Sequence, residues 1–148
     1  MLVYRFELGF SYLTVHGKLE MQSIGPFARY YSDLSVNNGY DRLRMKTPMS
    51  FQPEPEDDGL CVIAGWVYGC ESLKSLVRFF HCDLGRLHRA GFQVAVYEVP
   101  DNHVKIGGHQ VQYYSGSAEL IRIMSVREMK EEMRSIDPRY SSIYMEDI

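Results

Sequence analysis

A chain of 148 residues, 45% hydrophobic and 24% charged, has the length and make-up of one globular domain that needs no disulfide or metal staple. Its formal net charge of -3 lacks the basic excess with which phosphate backbones are bound, so direct nucleic-acid binding is not expected. Arg5 and Glu7 interrupt the first apolar stretch, and no window reaches the roughly 18 apolar residues of a spanning helix, which argues against a secretory h-region and a membrane span. Three cysteines (Cys61, Cys70, Cys82) without CxxC spacing suit reduced thiols in a cytoplasm.

In chain order, residues 2–8 alternate as a strand, with Leu2, Tyr4, Phe6 and Leu8 on one face and Val3, Arg5 and Glu7 on the other. Tyr12 to Val15 is expected to pair back across Gly9. Gly25-Pro26 reads as a turn, Phe27 to Leu34 as a short helix and Asn38-Gly39 as a further turn. Residues 45–59 carry Pro48, Pro53 and Pro55 and then Glu56-Asp57-Asp58-Gly59, an acidic surface loop. Leu60 to Gly69 is apolar on both faces, as a buried strand is.

Leu73, Leu76, Val77 and Phe80 form one stripe of an amphipathic helix that Ser72 is placed to cap. Asp83 is placed to cap a second helix containing Leu84, Leu87 and His88, which Gly91 stops. Phe92 to Val99 is a strand ended by Pro100. His103 to Ile106 and His109 to Tyr114 read as a hairpin joined at Gly107-Gly108, a pair that tolerates positive φ. Ala118 to Met124 is a further strand. Ser125 and Glu128 have capping-box spacing and open a helix to about Arg134, stopped by Pro138. The elements do not alternate βαβα. The expected fold is one α+β domain over residues 1–137, with a mainly antiparallel or mixed sheet and two to four helices on one side, followed by a loosely ordered tail over 138–148.

None of the five histidines has a ligand partner at metal-site spacing, so no metal is expected. No local signature supports a Cys–His nucleophile, and the chain leans away from catalysis. Strand-borne Arg5, Ser72 at a strand end and Gln112 on a late strand occur in the order of a mono-ADP-ribosyltransferase site, and Val-Tyr-Arg5, Gly69-Cys-Glu-Ser72 and Gln110-Val-Gln112 resemble that family. The resemblance implies NAD as cofactor, with Arg5 holding its phosphates and Ser72 supporting the nicotinamide ribose. Gln112 stands where that family carries Glu, and an amide has no charge and cannot act as a base. The plainer reading makes Arg5 a cross-strand partner of Glu98 or Glu7, Ser72 a helix cap, and Gln110 and Gln112 a solvent-facing row.

Val-Tyr-Arg5, Gly25-Pro26-Phe27, Gly69 to Leu73, Ala90-Gly91-Phe92 through Pro100 and Gly108 to Val111 together resemble small phage and prophage proteins. That resemblance implies an accessory protein in the host cytoplasm that binds and inhibits or modulates a host protein, such as a CRISPR or other defence effector, without catalysis or cofactor. The alternatives are an NAD-dependent transferase and a virion structural or assembly protein. Glu54, Glu56, Asp57 and Asp58 are the expected binding residues, suited to a basic target surface, with Tyr30 and Tyr31 as aromatic contacts.

Overall fold

The computed structural model describes residues 1–24, 55–61, 63–81, 83–146 and 148. Seven strands and four α-helices among them form a mixed α+β domain. The strands are β1 (Leu2–Leu13), β2 (Leu19–Ile24), β3 (Trp66–Gly69), β4 (Gln93–Glu98), β5 (Val104–Ile106), β6 (Val111–Tyr114) and β7 (Glu119–Ser125). The helices are α1 (Leu73–Phe79), α2 (Leu84–Ala90), α3 (Val126–Ile136) and α4 (Pro138–Tyr144). They build two antiparallel sheets, one ordered β2-β1-β4-β7 and the other β3-β6-β5.

The period-2 pattern of β1 divides the core. Phe6 joins Val94, Val96 and Met124 on one face of the larger sheet, and residues of all four helices pack there: Leu76, Leu84, Met129 and, at the edge, Tyr140. The opposite face carries Val3, which packs with Val99, Val111 and Tyr113 beneath the smaller sheet. The helices therefore lie on one side, as the sequence implies, and the second sheet on the other. An antiparallel bridge between Tyr4 and Cys70 ties the sheets together. Gly69 makes that approach possible, since a Cβ there would sit 2.5 Å from Val3 Cγ1 and 2.9 Å from the Tyr4 carbonyl oxygen.

Several elements differ from expectation for identifiable reasons. Gly9 is not a turn. β1 runs straight through it, changing partner from β4 to β2 between Glu7 and Leu8. The reversal falls at Thr14–Lys18, where Gly17 takes φ 75° and the Thr14 hydroxyl accepts from the Lys18 amide at 3.1 Å. The long strand expected over Leu60–Gly69 shrinks to Trp66–Gly69, because Gly65 at φ 81° turns the chain just before it. Gly107-Gly108 does join a hairpin, but neither glycine has positive φ. Gly107 is needed for space, since a Cβ would meet the Gln110 carbonyl oxygen at 2.8 Å and Leu60 at 2.9 Å.

Residues 138–148 are not a loose tail. Pro138 occupies the first turn of α4, where its missing N–H costs nothing, and Asp137 caps the helix by accepting from the Arg139 amide at 3.2 Å. Tyr140, Tyr144 and Ile148, spaced by four, pack on the helical core, and Met145 is 1% exposed. The turn at Gly25-Pro26, the helix expected at Phe27 to Leu34, the Asn38-Gly39 turn and residues 45–54 of the acidic loop lie outside the described residues.

Candidate functional site

β1 places Arg5 and Glu7 two residues apart on the face turned toward the smaller sheet. β4 brings Tyr97 and β6 brings Tyr113 to the same spot. Arg5 Nε donates to Glu7 Oε1 at 3.1 Å, and Arg5 Nη1 donates to the Tyr68 carbonyl oxygen at 2.7 Å. The Tyr97 hydroxyl donates to both Glu7 oxygens, at 2.8 and 2.9 Å. Glu7 is 5% exposed, so its charge is held by these partners rather than by water.

Burial and then the Glu7 charge push the Tyr97 phenol above its ordinary value, and burial pushes Tyr113 up against the pull of Arg5. Desolvation opposes the Arg5 charge, but Tyr113, Glu7 and Tyr97 outweigh it, and the guanidinium is held above its ordinary value. Both phenols are thus kept protonated and the guanidinium charged.

This cluster is the floor of a cleft of about 420 Å³. Residues 18–21 of the β1–β2 hairpin line it together with Ala118 and Leu120. Ser115 and Gly116 form the remaining wall. Tyr113 is 2% exposed, lines the cleft, and its hydroxyl makes no hydrogen bond among the described residues.

The residues expected from the transferase resemblance do not converge. Val111 and Tyr113 face the inner core, so Gln112 between them points to the opposite face of the smaller sheet, away from Arg5. Gln112 is fully buried, donates from Nε2 to the Cys61 carbonyl oxygen and to Tyr68 Oη, and leaves Oε1 without a partner among the described residues. Ser72 caps α1, accepting from the Ser75 amide at 3.0 Å. The plainer reading holds for Ser72, and for Arg5 in its partner Glu7, which lies on the same strand rather than across from it. It fails for Gln110 and Gln112, which are buried rather than solvent-facing.

In the acidic loop, Asp58 turns inward. Its carboxylate accepts from Gln110 Nε2 at 2.9 Å and meets His109 Nδ1 at 2.7 Å, while its carbonyl oxygen accepts from the Gly108 amide at 3.3 Å. It clamps the β5–β6 hairpin. Asp57 is exposed. Glu54, Tyr30, Tyr31 and the Glu56 side chain lie outside the described residues. No group of three metal-ligating side chains occurs among the described residues, and no described helix is long and apolar enough to cross a membrane.

A second exposed feature is the outer half of β1 and its turn. Phe10, Leu13 and Val15 are 59%, 69% and 97% exposed, an unusual run of large apolar side chains in water. Sequence reasoning passed over both this arm and the Glu7–Tyr97–Tyr113 cluster. The available signal for the cluster was Arg5 and Glu7 sharing one face of a strand whose neighbour Val3 is core. Nothing local pointed to Tyr97 or Tyr113.

The fold and the cleft define a small α+β protein with a buried, neutralised ion pair at the base of a polar cleft. Residues 1–127 match the family described as Bacteriophage T4 Y00F protein, and the chain belongs to that family. A 30-residue stretch is 63% identical to the "Uncharacterized 19.7 kDa protein in motB-dexA intergenic region" of Enterobacteria phage T4, covering 20% of this chain and 18% of that protein. No solved structure matches.

Proposed function

We propose that this protein is a phage accessory protein that works by docking on a protein of the host cell, without chemistry of its own. The observation that carries the reading is the β1–β2 arm, on which Phe10, Leu13 and Val15 stand in water. Large apolar side chains exposed close together on one element are ordinarily covered by a partner. Membership of a phage family supports the accessory role. The ion pair on the cleft floor supports a non-catalytic reading, because Glu7 is committed to Arg5 and Tyr97 and Arg5 in turn to Tyr68. The transferase alternative has lost its geometry, since Arg5, Ser72 and Gln112 face three different surroundings. Neither the arm nor the cleft selects a CRISPR effector over another host protein, so the partner is read as a host protein with an apolar receiving surface.

The test is a tagged chain compared with a Phe10→Ser, Leu13→Ser, Val15→Ser variant in a pull-down from infected or host cells, read by mass spectrometry. Those three side chains support no core, so the variant should melt with the wild type. A protein captured by the wild type and lost by the variant is the expected result. Identical capture profiles would remove the arm from the reading.

A further inference from the structure

We propose that the cleft over Arg5 and Tyr113 binds a small molecule carrying an oxyanion group, carboxylate or phosphate, on an apolar body. The hydrogen-bonding capacity left over is a donor on Arg5 and, on Tyr113, a hydroxyl that can donate or accept. Arg5 uses Nε on Glu7 and Nη1 on Tyr68, and Nη2 makes no hydrogen bond among the described residues. The Tyr113 hydroxyl, on a residue 2% exposed, likewise has no protein partner there. That hydroxyl opens on the cleft, where its hydrogen bonds are left to solvent or to a ligand. An acceptor arriving from the cleft satisfies both groups at once.

A guanidinium selects an oxyanion over a neutral acceptor, since charge-assisted bonds to carboxylate or phosphate are about twice as strong as neutral ones. Glu7 does not forbid this, because Tyr97 and Arg5 hold its charge. On the β2 side the wall carries Lys18 and, two residues on, Glu20, whose carboxylate accepts from the Tyr12 hydroxyl at 2.9 Å. The volume of about 420 Å³ exceeds what an inorganic anion fills, and it lies in the size range of small-molecule pockets. Leu19, Met21, Val67 and Leu120 supply apolar wall for the rest of the ligand. The site shares residues 18–21 with the β1–β2 hairpin, but none of Phe10, Leu13 and Val15 lines it, so its test is separate from that of protein docking.

The test uses phenyl phosphate and benzoate, with inorganic phosphate, acetate and ionic-strength-matched chloride beside them, titrated into the full chain and followed by the amide NMR signals of Gly116 and Ala118. Saturable shifts with phenyl phosphate or with benzoate, tighter than with the corresponding small anion, are expected, and whichever saturates names the head group. Tyr113→Phe removes only a hydroxyl that no described residue hydrogen-bonds, so it should melt with the wild type yet bind about tenfold more weakly. Lys18→Glu should weaken binding as well. Shifts no larger than chloride gives with both aromatic probes, or equal affinity in Tyr113→Phe, would overturn the site.

Discussion

The Tyr97 hydroxyl is held between the two carboxylate oxygens of Glu7, at 2.8 and 2.9 Å, linking β4 to β1 through side chains as well as backbone. Tyr97→Phe removes that donor from a buried carboxylate and should lower stability by about 1–3 kcal/mol. Arg5→Met removes the compensating charge and should cost more, about 3–5 kcal/mol. Urea denaturation checks both as a lowered midpoint at unchanged slope. Equal stability in the two variants and the wild type would show the cluster to be solvated.

Alkaline pH should unfold the protein early. Burial, with Glu71 and Asp58 adding, pushes the Cys70 thiol from 9.0 up to about 12, and Tyr97 and Tyr113 are raised from 10.0. Each group holds its proton more tightly folded than unfolded. Its contribution is complete below its unfolded value and is lost as pH rises through the folded one. Stability should therefore fall from pH 9.0 upward. A double Tyr97→Phe, Tyr113→Phe variant should show a shallower fall above pH 10.0, measured by urea midpoints across the range.

Gly69→Ala tests the joint between the sheets. The added methyl meets Val3 at 2.5 Å and the Tyr4 backbone at 2.9 Å, and backbone cannot swing aside. A loss of about 1–3 kcal/mol is expected in chemical denaturation. The Tyr4 and Cys70 amides, which bond each other's carbonyls at 2.8 Å, should exchange faster with deuterium.

Asp58→Ala should destabilise by about 1–2 kcal/mol, because it strips the acceptor from Gln110, which is 7% exposed. Thermal melting distinguishes this from a solvated acidic loop, for which replacing Asp58 would leave the midpoint unchanged.

Truncation after Asp137 should be strongly destabilising, since it uncovers the core that Met145, Tyr140 and Tyr144 close. Met145→Ala alone is expected to cost about 2–5 kcal/mol in the same melt. Asp137→Ala, which loses the α4 cap and the Lys74 ion pair at 3.3 Å, should cost about 1 kcal/mol.

By itself the sequence determined what depends on neighbours along the chain. Leu73, Leu76, Val77 and Phe80 fix a buried helix face because 3.6 residues make a turn, and all four are core. Ser72 and Ser125 cap their helices, and Gly91 ends α2 at φ 89°, because short polar side chains and an absent Cβ suit those backbone positions wherever they occur. The alternation in residues 2–8 and 92–99 placed both central strands and sorted Phe6 and Val94 from Val3.

Only the tertiary structure decided which polar residues meet. Glu7, Tyr97 and Tyr113 come from three strands of two sheets, and nothing within a few residues of any of them encodes the other two. The turn of Asp58 inward, the meeting of residues 18–21 with Ala118 and Leu120 at the cleft and the docking of Tyr140, Tyr144 and Met145 were hidden for the same reason. Side-chain partners separated by tens of residues are selected by the packing of whole faces, and that packing is a property of the folded surface rather than of any local run.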